Sequence, residues 1–352
     1  MSTVRRQNLK GRGAEDNPRN RFERLDILYE PEVEATRERP KTEFLRDSTK
    51  SILSRNQSPD VGFDVSLNPY RGCEHGCAYC YARPTHEYLG FSAGLDFETR
   101  ILVKPDAPEL LEQELARPSW TPQTLGLSGV TDPYQPIERR LEITRACLEV
   151  LARLRNPVAV VTKNHLVARD IDFLGELASH HAAVVFLSIT SLDADLSRVM
   201  EPRASSPHHR LDAVAELAAA GVPCGVLVAP VVPAINDHEI PAILEAAADA
   251  GAQFASFIML RLPLGVKEIF RSWLERHFPD RAEHVLSRIR QIRDGQLNDS
   301  SFGSRMRGTG IFARQTAALF RISAARFGLA GPRFELSTAS FRRPGGEQMS
   351  LF

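Results

Sequence analysis

Three cysteines fall within one short run, Cys73-Glu74-His75-Gly76-Cys77-Ala78-Tyr79-Cys80. A C-x3-C-x2-C array forces its sulfur atoms into one neighbourhood. Reduced and unligated, they would invite oxidation, so the array reads as a metal site. A disulfide framework fits poorly, because the only other cysteines, Cys147 and Cys224, stand alone. Structural zinc takes four ligands in two separated pairs. Here no second pair follows, although His75 inside the loop has the chemistry of a zinc ligand. Three cysteines on a 4Fe-4S cluster leave one iron without a protein ligand, and that iron can bind a substrate or cofactor.

Such a loop needs a scaffold. Short apolar runs predict strands at residues 63–67, 124–128, 158–162, 184–189, 222–230 and 254–260. Amphipathic segments between them predict helices at 107–115, 138–153, 168–180, 210–220 and 239–250. Leu141, Leu148 and Leu151 mark the apolar side of the second, and Gly221 and Gly251 close the last two. Nearly continuous apolar strands alternating with helices imply parallel βα units. The fold class is therefore α/β, a partial or full (β/α) TIM-type barrel of parallel strands, with a doubly wound sheet as its rival. The cysteine loop follows the first strand. Residues 1–60 are polar and read as an N-terminal extension with little core of its own. Residues 61–263 form the barrel domain, 264–335 a helical basic C-terminal region, and 336–352 a tail.

Composition excludes some classes. Apolar residues make up 43% and charged residues 25%, as in an ordinary globular protein. No run approaches the roughly 18 apolar residues of a membrane span. The first residues, MSTVRRQNLKGRG, lack the apolar stretch of a secretory signal, so the expected compartment is the cytoplasm. The net charge of zero is unevenly spread. Residues 261–352 carry 16 Lys and Arg against 8 Asp and Glu, whereas residues 61–260 carry 15 against 25. A basic C-terminal part can meet a polyanion or simply be a solvated surface.

The pattern C-x3-C-x-aromatic-C after the first strand of a βα-repeat domain resembles the radical SAM signature. The resemblance implies that the open iron of a 4Fe-4S cluster on Cys73, Cys77 and Cys80 chelates the amino and carboxylate groups of S-adenosylmethionine. An electron from a ferredoxin- or flavodoxin-type donor then splits the sulfonium. The resulting 5′-deoxyadenosyl radical takes a hydrogen atom from the substrate. Tyr79 holds the position that packs near the adenine. Ser128, Gly129, Thr131 and Asp132, after the second strand, match the turn that binds the methionine amino group, and an ordinary Asp-Pro turn is the alternative. Lys163 ends the third strand and can reach a carboxylate or ribose, or be a solvated cation. Ser188 and Thr190 end the fourth and can bond ribose hydroxyls. Arg203 suits the SAM carboxylate, or else pairs with Glu201 or another acid. Asn236, with Pro230, Pro233 and Asp237, shapes the adenine pocket or caps the following helix.

Within the superfamily the chain resembles the spore photoproduct lyase-like, or DNA repair photolyase-like, branch. The segments NPYRGCEHGCAYCYAR, LSGVTDPYQPIE, VVTKN, SITSLD, MEPRASSP and APVVPAIND carry that likeness over roughly residues 60–262. It implies a lyase acting on DNA. One departure matters: repair lyases of this branch carry a hydrogen-donor cysteine just before the Thr-Asp of the second-strand turn, where this chain has Val130. Cys224, on a strand, is an alternative hydrogen donor if it points into the barrel, or a small core residue if it does not. Cys147 reads as packing.

The end of the chain, Gln348-Met349-Ser350-Leu351-Phe352, resembles the bacterial sliding-clamp binding motif. Leu351 and Phe352 would fill an apolar pocket and Gln348 would bond its rim, unless the tail folds back on its own domain. Arg305, Arg307, Arg342 and Arg343 would accord with phosphate contact. Other expectations stay open: radical modification of RNA, a peptide or a metabolite, and a non-catalytic iron–sulfur or zinc protein associated with DNA.

Overall fold

The computed structural model describes residues 10–23, 40–331 and 334–343. Its strands are β1 (Glu43–Arg46), β2 (Leu53–Arg55), β3 (Val65–Leu67), β4 (Tyr70–Arg71), β5 (Arg100–Val103), β6 (Leu125–Leu127), β7 (Val158–Thr162), β8 (Ala183–Ser188), β9 (Cys224–Val231) and β10 (Phe254–Met259). The main sheet runs β10-β9-β8-β7-β6-β3-β2. Every neighbouring pair is parallel except β2 with β3. From β3 onward each parallel strand joins the sheet beside its predecessor, without reversal. A doubly wound sheet would reverse its order partway. Right-handed crossovers in unreversed order put all helices on one face, so the sheet curls with its helices outside. Among the described residues it stays open between β10 and β2, and the expected barrel is found in its partial form.

The longer helices are α1 (Ala107–Ala116), α2 (Ile143–Leu154), α3 (Ile171–Ser179), α4 (Ala194–Met200), α5 (Pro207–Ala219), α6 (Ile240–Asp249), α7 (Val266–His277), α8 (Ala282–Gln291) and α9 (Gly310–Arg326). The expected single helix over residues 138–153 is broken, because Glu142 turns left-handed at φ 54°. The cause is Glu138, whose carboxylate folds back to accept the backbone N–H groups of Thr144 (3.0 Å) and Arg145 (3.2 Å) and so starts α2 afresh. The predicted N-terminal extension contributes two strands: β1 pairs with β5, and β2 borders the main sheet with Ile52 in the core beside it.

Side chains of a strand alternate between faces. On the helix side, Val158, Val160, Val185, Leu187, Val226 and Val228 are fully buried, each contributing about 1.5–3 kcal/mol of transfer free energy. On the concave side Ala159, Val161, Phe186, Leu227 and Ser256 are only half-buried, which leaves a hollow. Its floor is aromatic. Gly126 and Gly225 leave room for the rings of Phe63 and Phe254, which a β-carbon at either glycine would strike. Phe186 and Phe334 join them, at 5.1 and 6.4 Å from the Phe254 centroid.

Three of the four arginines expected to be available for phosphate bond within the chain, and the side chain of Arg342 is exposed. Arg305 Nε pairs with Asp60 at 2.5 Å, and Arg307 donates to the Phe257 carbonyl at 3.0 Å, so this turn packs along the exposed edge of β10. Arg343 donates to the carbonyls of Arg117 and Trp120, beyond the end of α1. The amide of Arg342 donates to the Leu154 carbonyl. The clamp-like residues Gln348, Leu351 and Phe352 lie outside the described residues. No helix among the described residues is long and apolar enough to cross a membrane.

Candidate active site

The cysteine loop leaves β4 through two left-handed glycines, Gly72 (φ 81°) and Gly76 (φ 68°). Cys73 N–H donates to the Phe97 carbonyl at 2.9 Å, and Cys80 N–H to the Cys77 carbonyl at 3.2 Å. Cys73 and Cys77 are buried and Cys80 half-buried. Burial first, then Asp132, Cys77 and Cys80, push the Cys73 thiol well above its usual pKa. Burial is likewise the leading cause for Cys77 and Cys80, both of which are raised. The three sulfurs thus feel one another in a dry place, and their thiolates need a cationic partner.

That donor set fits a cluster. Cys147 and Cys224, both fully buried in the main core, supply no fourth sulfur. Among the described residues, no group of three or more His, Cys, Asp or Glu converges as for a single metal ion. A cubane binds its thiolates on separate irons and so takes them more widely spaced. The two nitrogens of His75 face Asp132 (3.4 Å) and Asn164 (3.3 Å), so this residue serves the loop.

The turn after β6 is tied to the cysteine loop by the residues singled out above. Thr131 donates to the Gly72 carbonyl at 2.7 Å. Asp132 accepts from Thr162 Oγ1 (2.7 Å) and Lys163 N–H (2.8 Å). Ser128 donates to the Thr131 carbonyl at 3.2 Å. Gly129, at φ 131°, keeps its carbonyl for the hydroxyl of Tyr81 (2.9 Å), a residue the sequence reading passed over. Thr131 and Asp132 therefore hold the turn's shape. The face left for a ligand is backbone and the neighbouring Ser128 and Gly129.

Across the rim, Lys163 Nζ donates to Ser188 Oγ (2.5 Å) and the Ala229 carbonyl (3.0 Å), and lies 3.2 Å from Glu201 Oε1. Glu201 is the hub. It also accepts from Thr190 Oγ1 (2.5 Å), from the Tyr79 hydroxyl and from Arg210. Burial would raise its pKa, but Arg210 and then Lys163 outweigh burial and hold the carboxylate ionised. The structure thus brings together Tyr79, Lys163, Ser188 and Thr190 beside the cysteines.

Other expected contacts go elsewhere. Arg203 pairs with Glu74 at 3.0 Å, not with Glu201. Asn236 is fully buried and braces the loop after β9, donating to the carbonyls of Thr190 (2.7 Å) and Pro230 (3.0 Å). Cys224 is not brought to the site: its thiol donates to the Val214 carbonyl of α5 at 3.6 Å, behind the sheet. Val130, at the departure noted above, packs with Cys73, Ala82 and Phe97. Sequence reasoning missed Glu74, Arg83, Glu98 and Arg210. Their one signal was charge flanking the cysteine loop and the MEPR segment.

A profile described as the Radical SAM superfamily matches residues 67–247. An uncharacterized protein of Mycobacterium tuberculosis is 37% identical over 248 residues, covering 69% of this chain and 71% of the relative. A protein of Pseudomonas phage M6, named Radical SAM Nalpha-GlyT isomerase, is 27% identical over 216 residues, covering 61% of this chain and 43% of its own. Among solved structures, a point mutant of spore photoproduct lyase superposes with TM-score 0.61 at 17% identity, over 84% of this chain and 82% of that one. At that identity the likeness shows a shared fold.

Proposed function

The chain belongs to the radical SAM superfamily, whose enzymes use a 4Fe-4S cluster and S-adenosylmethionine, and from that premise we propose a lyase-like radical SAM enzyme that acts on DNA. Cys73, Cys77 and Cys80 hold the cluster. Bound there, the cluster would supply the one-electron reduction of S-adenosylmethionine from which hydrogen-atom abstraction at the substrate would follow. The observation that carries the reading is the joining of the buried three-cysteine loop to the polar rim through Glu201.

The chain's own residues do the positioning. The Ser128–Gly129 backbone and Lys163 face the ligand's amino acid end and Tyr79 the adenine, while the buried hydroxyls of Ser188 and Thr190 brace Lys163 from beneath. Glu201 holds Tyr79 and Lys163 in place, and the aromatic side chains form the floor of the hollow where a radical would react. The electron donor is of the ferredoxin or flavodoxin type.

Support for DNA is the branch resemblance and the surface of α9, where Arg314 and Arg321 are exposed one heptad apart. The turnover test is anaerobic SAM cleavage by the reduced, cluster-loaded protein, with and without damaged duplex. DNA-stimulated 5′-deoxyadenosine is expected. Cleavage stimulated equally by RNA or by no polymer would overturn the DNA assignment, and absence of cleavage would overturn the enzymatic one.

A further inference from the structure

Residues 11–18 lie outside the segment matched by the superfamily, yet they rest on the cysteine loop. We propose that this strap is the cover of the cluster, closing the Cys77 side of the loop against water and small solutes. Gly13 sits on the peptides around Cys77. A β-carbon there would collide with the carbonyl oxygen of Gly76 and come within 2.9 Å of the Ala78 nitrogen. Gly13 and Ala14 are buried, although they belong to a polar segment.

The anchor is Glu98, fully buried. Its two oxygens accept the backbone N–H groups of Gly13 (3.1 Å) and Ala14 (2.8 Å). The same carboxylate pairs with Arg83, which donates to the Cys77 carbonyl at 2.9 Å. One buried ion pair therefore binds both the strap and the peptide of a cluster ligand. Charge-assisted bonds to backbone amides are strong in such a dry place.

The rest of the strap is zipped down along its length. Leu95 N–H donates to the Asp16 carbonyl at 3.0 Å. Asn17 and Asp96 exchange two bonds, at 2.9 and 2.8 Å. Ser92 donates to the Pro18 carbonyl at 2.5 Å. Glu15 pairs with Arg276 of α7 at 2.5 Å. Gly94 also leaves no room for a β-carbon beneath Asp16. Only glycine at positions 13 and 94 allows two backbones to meet this closely. The contact thus excludes solvent without contributing a ligand.

The inference rests on the cluster assignment, and the experiment separates the two. Wild-type chain and Gly13→Val are loaded with iron and sulfide anaerobically, and the rate of iron transfer to a ferrous chelator is followed. Amide exchange of residues 11–18 reports detachment of the strap. Equal initial iron with release at least tenfold faster in Gly13→Val is expected. An unchanged release rate from a detached strap overturns the cover. If Gly13→Val does not fold, Asn17→Ala, at the exposed end of the zipper, decides: release should quicken two- to threefold, and an unchanged rate alongside faster amide exchange overturns the proposal. A wild-type chain that takes up no iron overturns the cluster assignment and the cover with it.

Discussion

The hydroxyl of Tyr79 donates to the carboxylate of Glu201, so the aromatic residue between the second and third cysteines is tied to a buried acid 122 positions later. Glu201 is also the partner of Arg210, with both side chains almost wholly buried. Tyr79 is thereby coupled, through Glu201, to Arg210 of α5.

Replacing Glu201 by alanine leaves Arg210 buried without its counter-charge. Losing one member of such a pair costs about 3–5 kcal/mol. Denaturant unfolding of the apo chain should show that loss. Conversion to glutamine should keep the fold better while weakening S-adenosylmethionine binding, because Lys163 loses the charge opposite it. Unchanged binding in Glu201→Gln would refute the positioning role.

The cysteines of the loop and Cys224 should divide cleanly. Alanine at 73, 77 or 80 should abolish bound iron and SAM cleavage. Cys224→Ala should retain both, at a stability cost of about 1 kcal/mol for a small core truncation. Iron and sulfide analysis beside the cleavage assay checks this, and loss of product hydrogen transfer in Cys224→Ala alone would restore that residue as a donor.

His86 carries a pH signature. It is fully buried, its Nε2 lies 2.9 Å from the Arg100 carbonyl, and its Nδ1 has no partner. Burial lowers its pKa from 6.5 to about 4. The unfolded chain therefore binds the proton first on acidification. Stability from this group is complete above about pH 6.5 and falls as the pH drops towards 4, by about 3 kcal/mol in all. His86→Gln should flatten that part of the pH–stability curve, and an unaltered slope would count against the assignment.

The basic face of α9 tests the DNA reading. The double change Arg314→Ala with Arg321→Ala should weaken duplex binding and lower the slope of log affinity against log salt by about 2, while leaving iron content intact. Identical salt slopes for the two proteins would remove α9 from any nucleic-acid surface.

Much of the site was legible because it is local. Three cysteines within eight positions must meet whatever the rest of the chain does, and short runs rich in β-branched residues, such as 158–162, read as buried strands. Once strands and helices alternate, Lys163, Ser188 and Thr190 fall on one rim, because each parallel strand ends on the same side. What the chain alone could not state was decided between distant segments. Glu74 rather than Glu201 takes Arg203, Glu98 takes Gly13 and Ala14, and Glu138 breaks a helix whose apolar spacing runs on without interruption. Nor could the sequence orient Cys224. Its strand, CGVLVAPV, is apolar on both faces, so the two-residue alternation that normally tells inside from outside is silent. Only the packing of α5 against that strand turned the thiol away from the hollow.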